Sequence, residues 1–130
     1  MSSDPLKKKI SSLIIEDRET DVVCASFDDR NLVVVTQYKK LGTILSVTTQ
    51  SLVDFTKGSV TFDVKMLMGK DDPILHAYAK AIGTVVHDLM KENKNSISSG
   101  KPLLCTLAIS NPTPTNLAEI CNVIKQCNVF

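Results

Sequence analysis

Three strand-like runs, Thr20-Asp21-Val22-Val23-Cys24-Ala25-Ser26-Phe27, Leu32-Val33-Val34-Val35-Thr36-Gln37-Tyr38 and Thr43-Ile44-Leu45-Ser46-Val47-Thr48, are separated by Asp28-Asp29-Arg30-Asn31 and Lys39-Lys40-Leu41-Gly42. Short β-branched runs bounded by Asp, Asn and Gly read as strands joined by turns. Asp and Asn hydrogen-bond their own backbone, which suits a tight hairpin at 28–31, and Gly42 is free to take a positive φ. In the first run Val22, Cys24 and Ser26 alternate against Val23, Ala25 and Phe27. The second is too apolar at its centre to leave one face in water, so it belongs in the middle of a sheet. Together the three predict an antiparallel meander.

Upstream, Leu13-Ile14-Ile15 predicts a short first strand. The run Lys7-Lys8-Lys9, in a polar setting, predicts a flexible N-terminal tail over residues 1–12, with a single domain over 13–130. Downstream, Thr49–Ser59 is long for a hairpin connection, and loops of that length in compact domains tend to be functional. It also carries Leu52, Val53 and Phe55, which a merely solvated linker does not need. Val60 to Met68 alternates Val60, Phe62, Val64 and Met66 against Thr61, Asp63 and Lys65, the pattern of a half-exposed strand.

Asp72-Pro73 predicts a helix start, with Asp72 capping and Pro73 in the first helical position. Its expected apolar face is Ile74, Leu75, Tyr78, Ala81, Ile82, Val85 and Leu89. The polar stretch Lys91–Lys101 reads as an exposed loop. Leu103 to Ser110 is a further strand. A last helix follows, capped by Thr113 or Thr115, with Leu117, Ile120, Cys121, Ile124 and Cys127 on its apolar side. A terminal Phe130 is expected to dock on the sheet or on a partner. The fold class is therefore α+β, an antiparallel sheet of five to six strands with two helices packed on it.

At 130 residues, 43% apolar and 22% charged, the chain fits one domain with one core. The longest aliphatic run, Leu32–Val35, is far shorter than the ~20 residues of a membrane span, so a soluble protein is expected. No apolar segment follows the lysine run, and a secretory signal is not expected there. Fifteen basic residues against fourteen acidic ones leave a formal charge of +1. Without a basic stripe, duplex nucleic acid is not the expected partner.

Chemistry-bearing patterns are scarce. Cys24, Cys105, Cys121 and Cys127 match no metal-site spacing and read as small core residues in a reducing compartment. His76 and His87 lie eleven positions apart, about 16 Å along one helix at 1.5 Å per residue, too far to share a metal. The Asp28-Asp29 and Asp71-Asp72 pairs stand where turns and caps call for Asp. No nucleophile elbow, zinc-protease motif or Cys–His pair is present. Few aromatics are available to stack bases. No enzyme and no cofactor are expected. Two helices cover only one face of a sheet, yet the three strands quoted first carry apolar residues at both parities. A pseudo-twofold partner over the second face is the expectation that follows.

The ordered set Val22-Val23-Cys24, Leu32-Val33-Val34-Val35-Thr36-Gln37 with Leu41-Gly42-Thr43, Leu67-Met68-Gly69-Lys70-Asp71-Asp72-Pro73-Ile74-Leu75-His76 with Ala79-Lys80, and Val123-Ile124-Lys125-Gln126-Cys127-Asn128-Val129-Phe130 resembles the proteasome assembly chaperone 3 family. The resemblance runs from about Thr20 onward. It implies a small, non-enzymatic α+β protein of the cytosol or nucleus. Such a protein pairs with proteasome assembly chaperone 4, helps form the ring of proteasome α subunits and leaves before maturation. In isolation it is expected to form a homodimer. The Lys-rich N-terminus and Lys91–Lys101 fall outside the shared pattern. The residues expected to touch a partner are Ser51, Leu52, Val53, Phe55, Lys57 and Phe130. The rival reading from the meander and flanking helices is a longin- or roadblock-like scaffold of GTPase regulation.

Overall fold

A computed structural model describes residues 7–37, 42–51, 60–92, 101–127 and 129–130. Their elements run β1 (Lys7–Ile15), β2 (Arg18–Ser26), β3 (Asn31–Thr36), β4 (Thr43–Ser51), β5 (Val60–Met68), α1 (Pro73–Glu92), β6 (Leu103–Ala108) and α2 (Pro114–Cys127). The architecture is α+β, one six-stranded sheet in the order β1-β2-β3-β6-β4-β5 with two helices.

Three sequence expectations need correction, the last of them the apolar face of α1. The first strand begins at Lys7, not Leu13, and pairs with β2 residue for residue from Lys7↔Ser26 to Ile15↔Arg18. Residues 7–12 are therefore strand, and only 1–6 of the expected tail lie outside the described residues. The hairpin closes through Glu16 (φ 51°) and Asp17 (φ 65°), both left-handed. Two successive left-handed residues twist a two-residue turn to match its strands. Glu-Asp lacks the Asn or Gly that ordinarily announces such a turn. The lysine run sits on the sheet's edge, where charge deters pairing with other chains.

The second correction concerns the meander, which stops at β3. Strand β6 inserts between β3 and β4, parallel to β3 and antiparallel to β4. It is the most thoroughly covered strand, with Leu103, Cys105, Thr106, Leu107 and Ala108 all buried. An apolar strand of that kind gains from neighbours on both sides. The chain reaches it through the β4–β5 hairpin and a return along α1, which lays the helix over the sheet.

Both helices cover the same face, α1 over β4, β5 and β6 and α2 over β1 and β2. The core between them and the sheet is built on Val22, Cys24, Val33, Val35, Leu45, Val47, Cys105 and Leu107 from the strands. The Asp72 Oδ1 accepts the Ile74 amide at 3.0 Å, so the cap stands where expected. The buried face of α1, however, is Leu75, Tyr78, Ala79, Ile82, Val86, Leu89 and Met90, and Ile74 is 48% exposed. Gly83 explains the rotation. A Cβ there would lie 2.9 Å from Val47 Cγ1, so the helix lies against β4 along its glycine side. The Tyr78 hydroxyl donates to the Thr113 carbonyl and ties α1 to the start of α2. In α2, Thr113 is the cap, its Oγ1 accepting the Asn116 amide at 3.1 Å. Phe130 is 4% exposed and belongs to the chain's own core.

Candidate functional site

The sheet face turned away from the helices carries the surface of interest. Register places Ile10, Val23, Val34, Thr106, Ile44 and Met68 side by side across all six strands. A parallel row beside it reads Lys8, Ala25, Leu32, Leu104, Ser46 and Lys65. The first row is apolar except for Thr106. The second is apolar in its middle and ends on a lysine at each edge.

Among described residues the large apolar side chains left in water are Ile10 at 61%, Ile14 at 64%, Leu67 at 52%, Met68 at 63%, Phe27 and Ile74. The first four belong to this face. Scattered apolar side chains on a surface mean little, whereas a contiguous band marks an interface. Full burial of an Ile, Leu or Met side chain contributes about 1.5–3 kcal/mol, so covering these four is worth several kcal/mol before association entropy is charged. A backbone irregularity extends the band. Between Ile44 and Leu45 the register slips, Leu45 facing Met66 and Ile44 facing Met68, so that Leu67 is the additional residue of a β-bulge. Such bulges re-aim side chains. Here Leu67 and Met68 both come to the open face.

Catalytic groupings are poorly supported by comparison. Burial pushes the Cys105 thiol up to about 12, and Cys24 and Cys121 are shifted in the same direction, first by burial. A thiol held protonated is a poor nucleophile. His76 Nε2 lies 2.9 Å from Asp71 Oδ1 at the exposed start of α1. His87 is half-buried, packed edge-on against Phe62 with ring centroids 5.8 Å apart. Among the described residues no three His, Cys, Asp or Glu side chains gather into a metal site, and no helix is long and apolar enough to cross a membrane.

Of the residues expected to touch a partner, Ser51 is the last residue of β4, opposite Val60. Leu52, Val53, Phe55 and Lys57 lie outside the described residues. Ile10, Ile14, Leu67 and Met68 went unrecognised as surface, although apolar residues at both parities in the central strands did signal a second covered face.

A family model for proteasome assembly chaperone 3 matches residues 33–127. The chain belongs to the proteasome assembly chaperone 3 family. It is 36% identical over 122 residues to proteasome assembly chaperone 3 of Nematostella vectensis, covering 89% of this chain and 84% of that protein. It is 31% identical over 112 residues to the Homo sapiens proteasome assembly chaperone 3, covering 85% and 84%. Its fold is that of a chain in the crystal structure of a chaperone complex for yeast 20S proteasome assembly, with a TM-score of 0.66 at 14% identity, covering 95% of this chain and 98% of that one.

Proposed function

We propose that the chain is a non-catalytic proteasome assembly chaperone. In the cytosol or nucleus it pairs with proteasome assembly chaperone 4, and the pair promotes formation of the α-subunit ring of the core particle. The observation that carries the pairing is the apolar row running from Ile10 to Met68 across every strand. A second sheet laid over it buries that row and completes a three-layer arrangement of helices, sheet and sheet. Homodimerisation through the same face is the default when chaperone 4 is absent. The Thr49–Ser59 connection, with Ser51, Leu52, Val53, Phe55 and Lys57, is the proposed contact to α subunits.

The mechanism is templating. A rigid pair that holds neighbouring α subunits in register lowers the entropic cost of closing the ring, because each later contact becomes intramolecular. Subunits that join later compete for the same footprint and displace the chaperone. Tagged chain co-expressed with chaperone 4 and α subunits tests this. Recovery of both, with ring yield raised over a mixture lacking the chain, is the expected result. Recovery of small GTPases or their regulators instead contradicts it.

A further inference from the structure

The edge of the sheet formed by β1 carries an unbalanced charge. β1 ends the strand order, with no further strand beside it among the described residues, so its outward main-chain groups are open to another chain. Register sets Lys7, Lys8 and Lys9 opposite Ser26, Ala25 and Cys24. Lys101 comes to the same corner from just ahead of β6, its Nζ donating to the Ser26 Oγ at 3.2 Å and to the Phe27 carbonyl at 2.6 Å. Among the described residues no carboxylate pairs with Lys8, Lys9 or Lys101. The Asp29 carboxylate, in the turn after β2, lies 3.7 Å from Arg30 instead. Glu19 and Asp21 stand opposite Ile14 and Ser12, and Ser12 is about 13 Å along the strand from Lys8. The other edge is balanced, since β5 sets Asp63 two positions from Lys65.

We propose that this edge takes an added strand from an acidic polypeptide, an extended segment with carboxylates at alternate positions. In strand addition, main-chain hydrogen bonds supply affinity and the side chains select the segment. Lysines on an edge penalise a basic or uncharged strand, which would repel them or desolvate them without return. Carboxylates on the incoming strand pair with them instead. The Lys9 position opposite Cys24 and the Lys101 ammonium at Ser26 are two residues apart along β2, about 7 Å. That is the repeat of side chains on one face of an extended chain. A polyanion without a peptide backbone answers the charge but not the open main-chain groups, so a polypeptide is what the two features together select. The edge is a different surface from the sheet face, and the inference does not rest on the pairing proposed above.

The probe is a fluorescein-labelled peptide of about ten residues, glutamate alternating with threonine, titrated into the full chain by anisotropy. At low salt it should bind about tenfold or more tightly than the matching lysine–threonine peptide, and its binding should weaken as salt is raised. Lys8→Glu/Lys9→Glu should lower its affinity by about tenfold. Amide hydrogen exchange separates an added strand from simple adhesion of charge, because the amides of Lys7–Ile15 that face away from β2 should gain protection on binding. Equal affinity of parent and variant, no preference over the lysine peptide, or β1 amides left unprotected overturns the proposal. If a heparin fragment of equal charge binds more tightly than the acidic peptide, the corner is a general polyanion surface and the proposal falls. Should the double variant misfold, Lys8→Gln/Lys9→Gln takes its place, with a loss of about threefold expected and no loss overturning the proposal.

Discussion

The side-chain amide of Asn116, buried in the first turn of α2, donates to a carboxylate oxygen of Glu16 at 3.1 Å, joining residues a hundred positions apart. The same carboxylate accepts from the Asn111 amide, and Asn116 also donates to the Asn111 carbonyl at 2.8 Å. The left-handed turn that closes the β1–β2 hairpin is thereby fastened to the loop that starts α2, and the edge strand bearing Ile10 and Ile14 is held in place. Removing a buried hydrogen-bonding side chain costs about 1–3 kcal/mol. Asn116→Ala should lower unfolding stability by that amount in urea titrations. Glu16→Gln, which keeps an acceptor oxygen, should cost well under half as much.

Gly42 makes a second structural demand. Its φ is +67°, and a Cβ there would run into the Leu107 carbonyl oxygen and stand 2.9 Å from the Ala108 Cα, both in the backbone of the inserted strand. Strain and clash act together, so Gly42→Ala should destabilise the fold by about 2 kcal/mol or more. Gly83→Ala meets side-chain atoms alone, of Val47 at 2.9 Å and Phe62 at 3.6 Å, and should cost less. Thermal unfolding of the two variants side by side checks the ranking.

The buried thiols give stability a defined dependence on pH. Unfolded, a cysteine titrates near 9.0, whereas burial pushes Cys105 up to about 12 in the fold. Between those values the native chain keeps a proton that the unfolded chain has lost. Stability attached to this thiol is fully present below about 9 and is lost as pH rises toward 12. Cys24 and Cys121 shift in the same direction. Urea midpoints measured from pH 7 to pH 11 should stay level to about pH 9 and then decline. Cys105→Val should flatten part of that decline.

Much of this fold can be read locally. Strands β2 to β5, the Asp72 and Thr113 caps and the proline starts of both helices all announce themselves through residue type and spacing. What escapes is set by pairing between distant segments. Nothing within Leu103–Ala108 says that it will lie beside Leu32–Thr36, because a parallel neighbour is chosen by the sheet and not by a turn. Lys7–Lys9 looks like a tail until β2 offers nine partners in register. The open face was legible in outline, from Val23 and Val34 standing opposite in parity to Val22 and Val33. Its exposed ends were not, since the bulge that turns Leu67 and Met68 outward leaves no mark of composition.

The pairing surface is tested most directly by titrating proteasome assembly chaperone 4 into the parent chain and into an Ile10→Asp/Met68→Asp double variant by calorimetry. Both positions are more than half exposed in the single chain, so the variant should fold with a stability within about 1 kcal/mol of the parent. Heat of binding for the parent and none for a folded double variant is the result expected. Equal affinities for the two would place the partner elsewhere on the molecule and contradict the account.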